Sequence, residues 1–311
     1  MGGSGGTGDG GAIDTTAGPR TDASVLDVPS AESAYRRVNG VDLHVVEAGD
    51  PDDPLVVLLH GFPEFWYGWR EQIGPLVDAG YRVLVPDQRG YAHSEKPAGV
   101  RSYRRRELVG DVAELVRTEG RESAHVGGHD WGALVAWDLA RRRPGLVDRL
   151  GIVNAPHSMA FRRALRSNPE QLWRSRYVLY FQLPRIPERR ARRDDFARWT
   201  RALRAARPGT FDPTDVERYR TAWRREGAPG AMLNWYRAAA RYPDEPSRER
   251  VAAPTLIVWG EDDRALVPEL AKRSLDRCEN ARLERFPGAT HWVHHEYPER
   301  ISDLLTAHLG G

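Results

Sequence analysis

Gly128-His129-Asp130-Trp131-Gly132 sets a carboxylate between two glycines, after the apolar run SAHVG and before the helical pattern WGALVAWDLA. Glycines at these positions permit a strained strand-to-helix turn that lifts the central side chain clear of a sheet and leaves backbone N–H groups facing it. A serine there needs a base before it can attack an acyl carbon. An aspartate is already ionised at neutral pH and can attack a saturated carbon directly. The product would be an alkyl ester on Asp130, which water must then cleave. The competing reading makes Asp130 a helix N-cap, a role aspartate favours.

A base for that water is offered by GATHWVHHEYP, where His291 falls in a loop between a weak strand-like run and a helical pattern. His294 and His295 read as surface residues. An acid to support the base is offered by WGEDDRALVP, in which Asp263 stands at G-x-x-D spacing from Gly260 after an apolar run. Asp262 is its rival, and a turn cap is the competing role for both. The loop His60-Gly61-Phe62-Pro63 follows PLVVLL, so the backbone N–H groups of Phe62 and Trp131 could together stabilise an oxyanion.

Such groups need a sheet to hold them. Short apolar runs bounded by Gly, Pro and Asp recur at PLVVLLHG, YRVLVPD, SAHVGG, VDRLGIVNAP and PTLIVWG, with ARLERFPG as a weaker last member. A hairpin is expected around Asn39-Gly40. Helical patterns lie between the runs, and the alternation predicts an α/β fold with a mostly parallel, doubly wound sheet. The alternation stops after Pro156 and resumes near Val251. Residues 156–245 are Arg-rich and aromatic with helical spacing, which predicts a helical lid over the sheet's C-terminal edge. The expected division is a disordered Gly-rich tail over 1–30, a core of 31–155 and 246–311, and a cap of 156–245.

Other classes are excluded by composition. A single cysteine, Cys278, allows no disulfide framework, and no N-terminal apolar run resembles a signal peptide, so a cytoplasmic setting is expected. No apolar run approaches the length of a membrane span. Basic residues number 46 and acidic residues 44, for a net charge of +2, which argues against a polyanion-binding protein. The Arg-rich run RRARRDDFARWTRALRAAR reads as a solvated helical face, so neither nucleic acid nor membrane is an expected partner. No clustered Cys/His spacing suggests a metal and no glycine-rich phosphate loop suggests a nucleotide, so no cofactor is expected.

Taken together, HGFPEFWYGWR, DQRGYAHSEKP, GGHDWG, YVLYFQLP, LNWYRA, VWGEDD and THW resemble the soluble epoxide hydrolases, in the family's order and from about Ala34 to the C-terminus. The resemblance implies an α/β-hydrolase fold with an inserted helical cap, and hydrolysis of an epoxide to a vicinal diol by a monomer or homodimer. It implies that two cap tyrosines hold the epoxide oxygen, matching Tyr236 in LNWYRA and Tyr177 in YVLYFQ, with Tyr180 as the alternative to Tyr177. A phenol suits this task because an alkoxide leaves poorly unless it receives a proton. Trp66, Trp131, Trp235 and Phe181 are expected against the substrate, and an aromatic-rich cap that includes Trp173, Trp199 and Trp223 implies an apolar or aromatic epoxide. Two departures stand out: Ala92 where the family usually has glycine, and Phe65 in place of serine or threonine, which is expected to narrow the entrance or change the shape of substrate accepted. A haloalkane or haloacid dehalogenase with the same aspartate is the nearest competing function. A non-catalytic receptor on the same scaffold is the next.

Overall fold

The computed structural model describes residues 23–242 and 250–311. Most of the expected tail, residues 1–22, and the expected end of the cap at 245 lie outside them. Residues 23–30 depart from the expectation of disorder. They carry a 3-10 turn at Ala23–Val25 with Ala23 buried, and Val28 packs against the core.

Eight strands form one sheet: β1 Glu32–Val38, β2 Val41–Ala48, β3 Leu55–Leu59, β4 Arg82–Pro86, β5 Ala124–His129, β6 Val147–Val153, β7 Thr255–Gly260 and β8 Ala281–Phe286. Their order is β1-β2-β4-β3-β5-β6-β7-β8. Asn39 and Gly40 close the β1–β2 hairpin with φ of +46° and +76°, the left-handed pair that an Asn-Gly turn adopts readily. Strand β2 runs antiparallel to both neighbours, and β3 through β8 pair in parallel. Every residue of β3, β4 and β7 is buried. That pattern requires cover on both faces. The edge strand β8 instead alternates exposure, which is why its sequence signal is weaker.

The core helices are α1 Arg70–Asp78, α2 Arg105–Thr118, α3 Asp130–Arg142, α11 Glu269–Leu275, α12 Val293–Glu296 and α13 Pro298–Leu309. Helix α1 packs with α13, and α2 with α3. Between β6 and β7 come the cap helices: α4 Ser158–Ser167, α5 Pro169–Arg174, α6 Tyr177–Phe181, α7 Ile186–Arg193, α8 Ala197–Leu203, α9 Pro213–Arg224 and α10 Ala228–Arg241. From β3 the chain goes to β4 on one side and later to β5 on the other, so the strand order switches there. A cleft forms beyond the C-terminal ends of strands at such a point. The loops after β3 and β5 both end in it.

Candidate active site

Strand β5 ends at His129 and α3 begins at Asp130, so the turn between them has no spare residue. Asp130 adopts a left-handed backbone, φ +49°, at a cost of about 1–3 kcal/mol that surrounding packing must offset. Glycines make the approach possible. A Cβ on Gly132 would lie 2.1 Å from the Leu59 carbonyl oxygen, and one on Gly61 would lie 2.5 Å from Asp130 Cβ.

The Asp130 side chain does not cap its own helix. Its Oδ1 accepts the Phe62 N–H at 2.9 Å, and its Oδ2 stands 3.5 Å from His291 Nε2. Trp131 occupies the first turn of α3, where N–H groups have no intrahelical acceptor. On its other edge, His291 donates from Nδ1 to Asp263 Oδ2 at 2.6 Å. Asp263 is buried, and its Oδ1 accepts the N–H groups of Ala265 and Leu266 at 2.7 and 3.1 Å. Asp262 is exposed. The residue pattern singled out Asp130, His291 and Asp263 from three separate loops, and the fold brings them together.

Electrostatics ties the three groups into one unit. Burial would raise the Asp263 carboxyl, yet the His291 ring and its other donors hold it below the usual range. Asp130 is held down likewise, its burial outweighed by His291 and the Phe62 N–H. Burial also opposes charge on His291, but the Asp263 and Asp130 carboxylates override it and raise the imidazole well above its ordinary value.

This site opens into a cavity of about 470 Å³ between core and cap, whose wall includes Asp130, His291, Tyr177, Tyr180, Phe181 and Tyr236. The Tyr236 ring, on α10, lies edge-on to Phe62 at 5.3 Å and to Trp131 at 4.9 Å. Tyr177, on α6, stands 6.0 Å from Tyr236 between ring centroids. Burial, then Asp130 and Asp263, raises the part-exposed Tyr177 above its ordinary value, and burial, then Tyr177 and Asp130, raises Tyr236, so each keeps its proton. Tyr180 shares the wall, but its ring packs on Phe181 rather than on Tyr236.

Several expected contacts fall elsewhere. Trp235 precedes Tyr236 on α10, and consecutive helical side chains point about 100° apart. Its indole therefore faces the core and donates to the Arg89 carbonyl at 3.1 Å. Trp66 and Phe65 line a different cleft, of about 310 Å³, against α9, so Phe65 does not narrow the entrance. Trp223 is buried beneath the cap. Trp173 is exposed on α5 instead of packing in the cap's interior.

Sequence reasoning missed a buried layer behind His291. His294 and His295 are buried, not surface residues. Glu64 accepts from His129 Nδ1 at 2.9 Å, His295 Nε2 at 2.8 Å and the Tyr219 hydroxyl at 2.9 Å. His129 Nε2 lies 3.0 Å from the backbone oxygen of His291, so Glu64 and its histidine pack directly behind the His291 loop. Glu64, His294 and His295 also bring ligand-type atoms within 4.8 Å of one another, but the Glu64 oxygens are already occupied by the three donors. Asn154 was missed too. It donates to Asp263 Oδ2 at 3.0 Å and holds Gly260 through both its amide groups.

Residues 54–298 match the family model described as the alpha/beta hydrolase fold. The chain belongs to the α/β-hydrolase fold family. It is 46% identical over 278 residues to the AB hydrolase superfamily protein YfhM of Bacillus subtilis, covering 88% of this chain and 96% of that one. Identity to Epoxide hydrolase A of Mycobacterium tuberculosis is 33%, over 88% of this chain and 95% of that one. Among solved structures, the epoxide hydrolase of Bacillus megaterium in complex with an inhibitor superposes with a TM-score of 0.82 at 32% identity, covering 89% of this chain and all of that one. Of these three, the Mycobacterium tuberculosis and Bacillus megaterium proteins are named epoxide hydrolases.

Proposed function

We propose that this hydrolase converts an epoxide to a vicinal diol through an ester on Asp130. The observation that carries the reading is one cavity in which two protonated phenols, Tyr177 and Tyr236, share a wall with a nucleophilic carboxylate. Asp130 Oδ2 attacks an epoxide carbon, the C–O bond breaks, and a tyrosine proton passes to the departing oxygen. His291, oriented by Asp263, then takes a proton from water as the water oxygen attacks Asp130 Cγ. Negative charge collects on Oδ1, which already accepts the Phe62 N–H, with the Trp131 N–H as second donor. Collapse expels the diol with the former Oδ2, which takes its proton from the His291 imidazolium, while the proton left on the Asp130 carboxyl returns to the tyrosinate, and the water oxygen stays in the carboxylate. A mostly apolar wall containing Phe181 and Trp199 suits an apolar or aromatic epoxide.

The test is a paired assay of purified protein with styrene oxide and bromobutane, following diol and bromide separately. Diol without bromide is expected, and Asp130→Ala should abolish it. Bromide without diol would overturn the reading, because a halide leaves without the proton that the tyrosines supply.

A further inference from the structure

Of the eight large apolar side chains that the described residues leave exposed, six fall between Leu172 and Ile186. Among them Leu179 is 73% exposed, Trp173 66% and Ile186 51%. Monomeric soluble surfaces rarely gather so much bare apolar area, and where they do it marks a contact. These residues sit on α5, α6 and α7 and the links between them. The same helices supply Tyr177, Tyr180, Phe181, Pro187 and Ala191 to the wall of the catalytic cavity. Farther along that wall come Arg198, Arg201 and Ala202, which are exposed to solvent and so mark its mouth. Of the six bare side chains Tyr177 lines the cavity itself, and the other five lie on or between α5, α6 and α7, two of which build its wall.

Charge follows the same geography. Residues 158–207 hold fourteen arginines against four acidic residues, leaving 32 basic against 40 acidic residues for the rest of the chain. Near-neutral net charge is thus the sum of a strongly positive first part of the cap and a negative remainder. Of the four acids, three are already matched, Glu170 by Arg174, Glu188 by Arg237 and Asp195 by Arg224. Helix α7 alone follows exposed Ile186 with exposed Arg189, Arg190, Arg192 and Arg193. The Arg176 guanidinium lies 4.1 Å over the Trp173 ring.

We propose that this face of the cap docks on the surface of an anionic phospholipid bilayer, with the mouth of the catalytic cavity against the lipid. Exposed Trp, Leu and Ile beside a dense arginine field are the composition that seats a protein at the lipid interface, the apolar side chains entering the acyl boundary while guanidinium groups meet phosphate. No helix among the described residues is long and apolar enough to cross a membrane, so the contact is superficial. The whole-chain charge argued against any membrane partner, and the distribution of that charge reverses the inference. Apolar molecules concentrate in bilayers, and a mouth facing the lipid would draw them from there without passage through water. Docking does not depend on which reaction the cavity performs.

Flotation with vesicles tests it. The full-length protein should float with phosphatidylglycerol vesicles and stay behind with phosphatidylcholine vesicles. The combined change Trp173→Ser, Leu179→Ser and Ile186→Ser should cut the floated fraction about tenfold or more. Arg189→Gln, Arg190→Gln and Arg193→Gln together should weaken flotation and reduce its salt sensitivity. None of the six positions touches the cavity, so turnover of a water-soluble substrate and the circular dichroism spectrum should be unchanged in both variants. Absence of flotation with phosphatidylglycerol would overturn the proposal, as would flotation that survives loss of the three apolar side chains. A dimer in sedimentation that the apolar variant dissociates, without vesicle binding, would overturn it too, by showing this face to be covered by a second copy.

Discussion

At the scale of single residues, His291 is charged in the resting site because two carboxylates, Asp263 and Asp130, hold its proton. That state suits ring opening but not water activation, for which the ring must be neutral. In the proposed mechanism, forming the ester would remove the Asp130 charge and with it part of what raises the imidazole, so the first half-reaction would prepare the base for the second. The expected outcome is that Asp130→Asn, an uncharged stand-in for the ester, lowers the His291 pKa, read from its ring resonances by NMR titration. An unchanged value would refute this coupling. In the native enzyme, ester hydrolysis should rise with pH through that lowered pKa, while ring opening stays flat across the neutral range. Single-turnover mixing measures the two separately. The His291→Gln variant should open the ring once and stall, giving an adduct on the peptide containing Asp130 in mass spectrometry. Asp130, Asp263 and His291 were legible because their residue types stand at spacings that only certain turns explain. Asn154 and Glu64 were not, since each acts through partners far away in the chain, Glu64 on His295 and Asn154 on Asp263.

At the scale of elements, the strands were legible wherever both faces are buried, because continuous apolar runs such as LVVLL have no other stable setting. The Asn39-Gly40 hairpin was legible from its turn chemistry. The number of helices in the cap was not, since its short pieces start from left-handed residues such as Arg185 and Phe196, which carry no sequence mark. Nor was the direction of Trp235 against Tyr236, which depends on how α10 is rotated. Glycine marks the elbow most plainly. A methyl group at Gly132 would meet the Leu59 and His60 carbonyl oxygens at 2.1 and 2.6 Å, and these belong to the end of β3 and the oxyanion loop, which cannot retreat without moving Phe62. Gly132→Ala should therefore destabilise the fold by about 3 kcal/mol or more and remove activity even where the protein still folds. Urea unfolding measures the first effect. A loss within the scatter of ordinary surface substitutions would mean that the elbow is looser than this packing describes.

At the scale of the whole molecule, the cap is bonded to three of the loops around the site, those that carry Asp263, Phe62 and His291. Arg174 and Gln171 on α5 donate to backbone carbonyls of the acid loop, at Leu266 and Ala265, with distances of 2.8 and 2.9 Å. Tyr219 on α9 donates to Glu64, and the Trp223 indole N–H to the Pro63 carbonyl, in the oxyanion loop. In return, Trp292 of the histidine loop donates to Ala202 of α8 at 2.9 Å. Lifting the cap would exchange all of these for bonds to water, at about 0.5–1.5 kcal/mol each, and would bare the apolar surface packed between cap and core, at about 25 cal/mol per Å². Several such losses together approach the total stability of an ordinary domain, about 5–15 kcal/mol. The cap should then not open as a hinged lid, and substrate should enter through the standing mouth. Amide hydrogen exchange checks this directly. Residues Tyr219–Trp223 of α9 should exchange with the same free energy, and the same steep dependence on denaturant, as the central strand β5. Exchange in α9 that is far faster and insensitive to denaturant would show the cap lifting by itself, and the three loops would then be assembled only when it closes.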